Sequence, residues 1–398
     1  MRRSHRASVL LRNQNGRIVK MSKKMELNRF KDMLADGQLN RRQINQILVS
    51  VGIATVSVPL IGNWAHAATN LYLYTWAVYD SPELHPAYIE KYGATPNVSI
   101  FADNDEAVLK LQAGYPSDIA VPTSFMVGRY RDAGLLEPID TSRIEAWGDL
   151  FEELTTITGM VVDGKQWAVP WAWGNSSIIF RPDLAPEYSG PENNSWSILW
   201  DPKYSGRLGQ RDSVDAVLLQ ASLLLGIEDP FHMSDDDLQR IRTKLVEQRE
   251  HLRYYWTSDA DMEQAIASGE LVAAYAWNSS YARLLKEGIP VEWMIPKEGI
   301  LTWCDAQVLL NSGSASDDEK YDFLNATLEP IAGKFMIEEF GFGSANKLAF
   351  DIADKQLMEE FGYTDPQSLI KGSVLFDTFD PSVRDKASAM FEELKAGF

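Results

Sequence analysis

Between Leu71 and Pro122 the chain alternates short apolar runs with segments of helical character. That alternation limits it to a parallel α/β sheet. Leu71-Tyr72-Leu73-Tyr74-Thr75-Trp76 reads as a strand and Pro82 to Tyr92 as a helix. Val98-Ser99-Ile100-Phe101 is a second strand, Asn104 to Gln112 a helix, and Asp118-Ile119-Ala120-Val121-Pro122 a third strand closed by a turn. Ligands of open parallel sheets sit beyond the carboxyl ends of the strands. The segments after Tyr74 and after Val121 are therefore the first places to seek a site, and they hold Trp76, Tyr79, Ser124 and Phe125.

The 398 residues exceed what one hydrophobic core usually serves, so two lobes are expected. The run WAVPWAWGNSSIIF from Trp167 reads as a long strand crossing to a second lobe, and Trp303 to Leu310 as the return crossing. Between them lie helical stretches near 213–226, 235–248 and 260–268 and an apolar strand from Leu271 to Trp277. Tyr321 to Phe340 has the pattern of an amphipathic helix ended by Gly341 and Gly343, and a last helix covers about 382–396. The expected division is 1–67 as an export signal with its preceding segment, 68–168 with 308–345 as lobe I, and 169–307 with 346–398 as lobe II.

The export reading rests on residues 39–68. Arg41 and Arg42 precede an apolar stretch from about Ile47 to Ile61, followed by the small-x-small pattern Ala65-His66-Ala67. That order is a signal peptide's, with cleavage expected after Ala67 and the mature chain in the periplasm. The apolar stretch is shorter than the ~20 residues of a comfortable membrane span. The arginine pair fits a twin-arginine signal, the alternative being a general secretory one.

Charge narrows the partners. Residues 1–67 hold 12 of the 38 basic and 3 of the 56 acidic residues, so the remainder carries 26 and 53, a net of −27. Such a body repels nucleic acid and attracts cations, although a solvated acidic surface accounts for most acidic proteins. One cysteine, Cys304, allows no internal disulfide and reads as a packed structural thiol. Only His85, His232 and His251 follow the signal, without metal-ligand spacing, so no metal or cofactor is expected.

Several segments in order resemble the bacterial spermidine/putrescine-binding proteins, within the extracellular solute-binding proteins of ABC importers. They are YTWAVY at 74–79, DIAVPTSFMV at 118–127, WAVPWAWG at 167–174, LWDPKYSGRLG at 199–209, RDSVDAV at 211–217, AYAWNSSYA at 274–282, IPKEGILTWCDAQVL at 295–309, GFGSANKLA at 341–349 and ELKAG at 393–397. The resemblance implies a periplasmic-binding-protein type II fold: two α/β lobes joined by crossing strands, with a ligand cleft between them. It also implies a monomer that hands a polyamine to an inner-membrane ABC permease with its ATPase. Carried over by position, Trp76 and Tyr79 form a first aromatic pair, Asp212 and Asp215 an acidic pair, and Trp277 and Trp303 the walls. Asp305 is the carboxylate for a further amine, and Phe125 and Phe342 stand where the family more often has tyrosine. Asp377 falls where the family has a polar amide.

The residue types suit that ligand. An ammonium needs acceptors and opposite charge on desolvation, which carboxylates supply. Aromatic rings cover the methylenes and attract ammoniums by ~0.5–2 kcal/mol each. Asp212 and Asp215 are spaced to share one helix face, where they would repel and so invite a cation; the alternative is a helix-capping pair. Asp305 follows an apolar segment, so it either meets an amine or pairs with a nearby Lys or Arg. Two other functions are weighed. Paired carboxylates could serve a hydrolase as acid and nucleophile, but the three acids match the binding site that the resemblance implies and no nucleophile motif such as G-x-S-x-G appears, so the chain is not read as an enzyme. A single-amine ligand such as 4-aminobutyrate or an opine would need an arginine for its carboxylate, for which Arg211 is the candidate.

Overall fold

The computed structural model describes residues 10–12, 18–20, 69–101 and 104–397. The export segment and the cleavage after Ala67 lie outside the described residues. The chain divides at Ala65/His66 into two units. In the first, Leu10–Arg12 pairs antiparallel with Ile18–Lys20. The second unit, 66–398, carries the main sheet and all of the candidate site residues.

The organiser of this second unit is a pair of long strands, Val169–Phe180 and Leu301–Leu310, in which every residue is buried. Both strands are covered on both faces, and polar side chains within them, Asn175, Ser177, Thr302 and Gln307, are hydrogen-bonded inside the protein. They pair antiparallel from Leu301↔Ser176 to Gln307↔Val169, and each continues into a different half of one twelve-stranded sheet. On one side, Val308 and Leu309 pair with Ala120 and Ile119. Ile119–Ala120, Tyr72–Thr75 and Asn97–Ile100 then run parallel, with the helices Pro86–Tyr92 and Asn104–Gln112 between them. On the other side, Val169–Phe180 pairs antiparallel with Ala273–Trp277, which runs parallel to Leu208–Arg211 and onward to Leu252–Trp256. The helices Val214–Leu224 and Asp235–His251 connect these parallel strands. The result is two α/β lobes on shared crossing strands.

Each lobe has its own core. The first gathers Leu73, Val121, Trp171, Trp173, Phe323 and Met336; the second gathers Ile179, Trp196, Leu219, Met262, Tyr275 and Phe391. Ala349, Phe350, Phe361, Tyr363 and Ile370 pack in the first core, whereas the sequence division assigned 346–398 to the second lobe. The chain stays with the first lobe through about Ile370 and reaches the second core at Phe376. Apolar spacing alone does not say which core a helix covers, which explains the misplacement.

The expected single helix from Tyr321 to Phe340 is three pieces: Asp317–Thr327, Pro330–Phe335 and a π-helical turn Met336–Phe340. Pro330 has no N–H to donate back, so it starts a new helix at its first position. Gly341, with φ 68°, ends the π turn as expected of a left-handed cap. Gly343 plays a different part. It pairs opposite Trp173, and a Cβ there would run into the indole. Among the described residues, no helix is long and apolar enough to cross a membrane and no three His, Cys, Asp or Glu side chains could jointly hold a metal ion.

Candidate functional site

The parallel strands of both lobes end toward the crossing. Trp76 and Thr123 follow the first-lobe strands, while Asp212, Trp256 and Trp277 stand at the ends of those in the second. Asp305 lies on the return strand between them, 7% exposed, where the ladder with the first crossing strand shifts register. Asp305 pairs with Ala172 and Ala306 with Pro170, so Trp171 is the extra residue of a β-bulge. A bulge re-aims side chains, and Pro170, which cannot donate to a ladder, suits one.

What faces Asp305 comes from the first lobe. The Tyr79 hydroxyl donates to its Oδ2 at 2.9 Å, and the Thr123 backbone bridges to Asp305. Tyr79 reaches this place through the turn after Trp76, in which Val78 has φ 73°. A β-branched residue in the left-handed region costs ~1–3 kcal/mol, and such strain gathers where a side chain must be held at a particular angle. Burial pushes the Asp305 carboxyl up from 3.8 to about 7, against the pull of hydrogen bonds from Tyr79 and Thr123. Burial, with the neighbouring carboxylate, likewise raises the Tyr79 phenol well above its ordinary value. Among the described residues no lysine or arginine is paired with Asp305. The ion-pair alternative weighed for it from sequence therefore does not apply.

Aromatic rings frame this carboxylate. Tyr79 lies 4.6 Å from Trp171 and 6.3 Å from Phe342, ring centre to ring centre. Phe342 meets Trp303 edge-on at 5.0 Å. The indole N–H groups of Trp303 and Trp76 and the hydroxyl of Ser124 are buried without hydrogen-bond partners. Trp303 can lie flat against the crossing strand because Gly174 has no side chain, a Cβ there being 2.9 Å from the indole Cε2. Trp76 packs edge-on against Phe101 at 4.5 Å. Phe125 packs against both cores, lies 6.3 Å from Phe376, and accepts a hydrogen bond at its carbonyl from the Thr378 hydroxyl at 2.8 Å. Asp377 accepts from the Thr378 backbone N–H at 2.6 Å.

The acidic pair differs from its expected state. The helix begins at Val214 with Ser213 as its N-cap, so Asp212 precedes the helix and neither aspartate caps it. Both carboxylates line one recess of about 250 Å³, together with Arg211, Ser213 and Arg384. Each is paired with a cation of the chain itself. Lys395 contacts Asp212 at 2.7 Å and Arg384 contacts Asp215 at 3.3 Å. The Arg211 guanidinium lies 4.3 Å from the centre of the Trp277 ring. Both paired cations come from the helix Pro381–Ala396. Sequence reasoning missed Lys395, Arg384, Thr123 and the bulged Trp171. A lysine in a helix's last turn reads as complementing the helix dipole, and only the fold brings Lys395 across 183 residues to Asp212.

Two α/β lobes hung on crossing strands, with a dry carboxylate in an aromatic frame at the crossing, define a protein built to hold a small polar solute between its halves. The chain belongs to the bacterial extracellular solute-binding proteins, whose pattern matches residues 85–361. Among its relatives, the putrescine-binding periplasmic protein of Escherichia coli (strain K12) is 25% identical over 90% of this chain and 99% of that protein. The spermidine/putrescine-binding periplasmic protein of Salmonella typhimurium is 26% identical over 84% of this chain and 94% of its own length. A solved spermidine/putrescine ABC transporter substrate-binding protein from Streptococcus pneumoniae superposes with a TM-score of 0.71 at 22% identity, covering 82% of this chain and 99% of that one. The fold is that of a type II periplasmic binding protein.

Proposed function

We propose that the chain is the periplasmic component of an ABC importer, capturing a polyamine such as putrescine or spermidine and delivering it to a permease driven by an ATPase. It acts as a monomer, exported by the segment that ends near Ala67. The observation that carries the ligand class is Asp305: a buried carboxylate with hydroxyl partners, no cation of its own, and aromatic walls. Burying a carboxylate this way is unfavourable unless it protonates or gains a cation. A bound ammonium supplies the charge, Tyr79, Trp303 and Phe342 supply the cation–π and methylene contacts, and hinge motion at the crossing strands closes the lobes. The names of the relatives point the same way.

A second reading, an amine that also bears a carboxylate, is favoured by two observations. Arg211 lies on Trp277, and the unpartnered indole N–H groups of Trp76 and Trp303 can donate to an oxygen but have nothing to offer an ammonium. Calorimetric titration of the purified chain with putrescine, spermidine and 4-aminobutyrate separates the two. Micromolar or tighter binding of a polyamine is expected, weakened by about 3–5 kcal/mol in Asp305→Ala. Binding of 4-aminobutyrate alone would replace the polyamine reading with the second one.

A further inference from the structure

Both carboxylates and the aromatic face that the second lobe offers to an amine already carry cations of the chain itself. Lys395 is 2.7 Å from Asp212, Arg384 is 3.3 Å from Asp215, and the Arg211 guanidinium is 4.3 Å from the Trp277 ring centre. These are the contacts that a ligand ammonium would otherwise make: charge-assisted pairing with a carboxylate and stacking on an indole. The pairs are half-buried, with side-chain exposures of 24% and 28% for Lys395 and Asp212 and of 28% and 16% for Arg384 and Asp215, so solvent screens them only in part. Lys395 is further held by Glu392 at 2.8 Å and by the Phe391 ring at 4.8 Å. Burial alone would lower its pKa, yet the hydrogen bonds to Asp212 and Glu392 leave it above the ordinary lysine value, so it stays charged throughout the neutral range.

We propose that Lys395 and Arg384, with Arg211, are specificity-determining residues. They are resident cations that satisfy the second-lobe carboxylates and the Trp277 face, so that the cleft reads one ammonium, at Asp305, and gains little from a second. A ligand amine reaching Asp212 must either displace Lys395 from Oδ1 or share the carboxylate with it at the cost of repulsion between two like charges, which offsets most of what the new contact contributes. Asp305 asks for no such exchange.

The inference rests on the amine reading of Asp305, and the experiment keeps the two apart. Butylamine and putrescine share a four-carbon chain and differ by one ammonium. Their affinities are measured by calorimetry for the full chain, for Lys395→Met, for Arg384→Met, and for Lys395→Gln, which keeps a polar partner for Asp212 without the charge. Thermal melting confirms that each variant is folded. The unaltered chain is expected to favour putrescine over butylamine by less than about tenfold, and that ratio is expected to rise by at least about tenfold in Lys395→Met and Lys395→Gln. The ratio does not change if a variant merely loosens the cleft, because both ligands then lose alike. A ratio that fails to rise in both lysine variants, while the amines still bind, overturns the resident-cation proposal and leaves the amine reading standing. No binding of any amine to any of the proteins overturns both.

Discussion

Asp305, on the return crossing strand, and the pair Asp212 and Asp215, just after a second-lobe strand, are carboxylates in opposite states. Asp305 is dry, its carboxyl pushed by burial up to about 7, and it is answered by the hydroxyl of Tyr79. Asp212 and Asp215 are wetter and already matched by Lys395 and Arg384. The difference lies in what the fold brings from far along the chain. Tyr79 reaches Asp305 across 226 residues, and Lys395 reaches Asp212 across 183. A carboxylate is a vacancy for a cation only where the rest of the chain has left it without one.

The largest effect that would break this contrast is on Asp305 itself, and it has two opposite signs. Asp305→Asn should abolish measurable amine binding while stabilising the unliganded protein at pH 8. The sign comes from the raised pKa. In the folded state the group holds its proton up to about pH 7, whereas unfolded it releases it near 3.8. Between those values the folded state binds more protons, so stability falls as pH rises through that window and stays low above it. The gap is worth on the order of 4 kcal/mol in the unliganded protein. Urea unfolding from pH 4 to pH 8 should therefore show a decline that Asp305→Asn flattens. A parallel decline in the variant would mean that other groups carry the pH dependence and that Asp305 is no strained anchor.

The sequence disclosed the frame of this comparison better than its content. The crossing strands, the parallel sheet and the aromatic and acidic candidates are legible from strand–helix alternation, long extended runs and the family resemblance. Asp305 stood out because a charge followed an apolar run. The break at Pro330 was also written in the sequence, and the apolar period across it hid the break. What could not be read is partnership across the tertiary structure. Asp212 and Asp215 had the spacing of an amine clamp, and nothing within ten residues of them announces Lys395 or Arg384. The bulge at Trp171 escaped for a related reason, since it exists only in the register between Ala172 and Asp305. The fate of residues 346–370 depended likewise on which core lay nearer.

A middle-sized effect tests whether the aromatic frame belongs to Asp305 alone. In Gly174→Ala the new methyl would lie 2.6 Å from the Asn278 Oδ1 and 2.9 Å from the Trp303 Cε2, so the indole must move off the crossing strand. Overpacking of this kind costs ~1–3 kcal/mol. Stability in urea should fall by that amount, and amine affinity should fall with it because Trp303 and Phe342 no longer meet edge-on. Loss of stability with unchanged affinity would remove Trp303 from the ligand frame.

The smallest effect concerns how the two stations are held together. The Thr378 hydroxyl, on the segment that enters the second core at Phe376 and Phe379, donates to the carbonyl of Phe125 in the turn after the first-lobe strand Ile119–Ala120. The bond is exposed, so its net worth is at most ~0.5–1.5 kcal/mol. Thr378→Val keeps the shape of the side chain and removes the donor. Affinity should drop by about two- to fivefold for every amine alike, mostly through faster release, because the bond ties the lobes without touching either carboxylate station. Stopped-flow dissociation of putrescine and butylamine reads this directly. If putrescine release accelerates and butylamine release does not, the segment bearing Thr378 senses the second ammonium, and the separation between Asp305 and the second-lobe pair is less complete than their counterions imply.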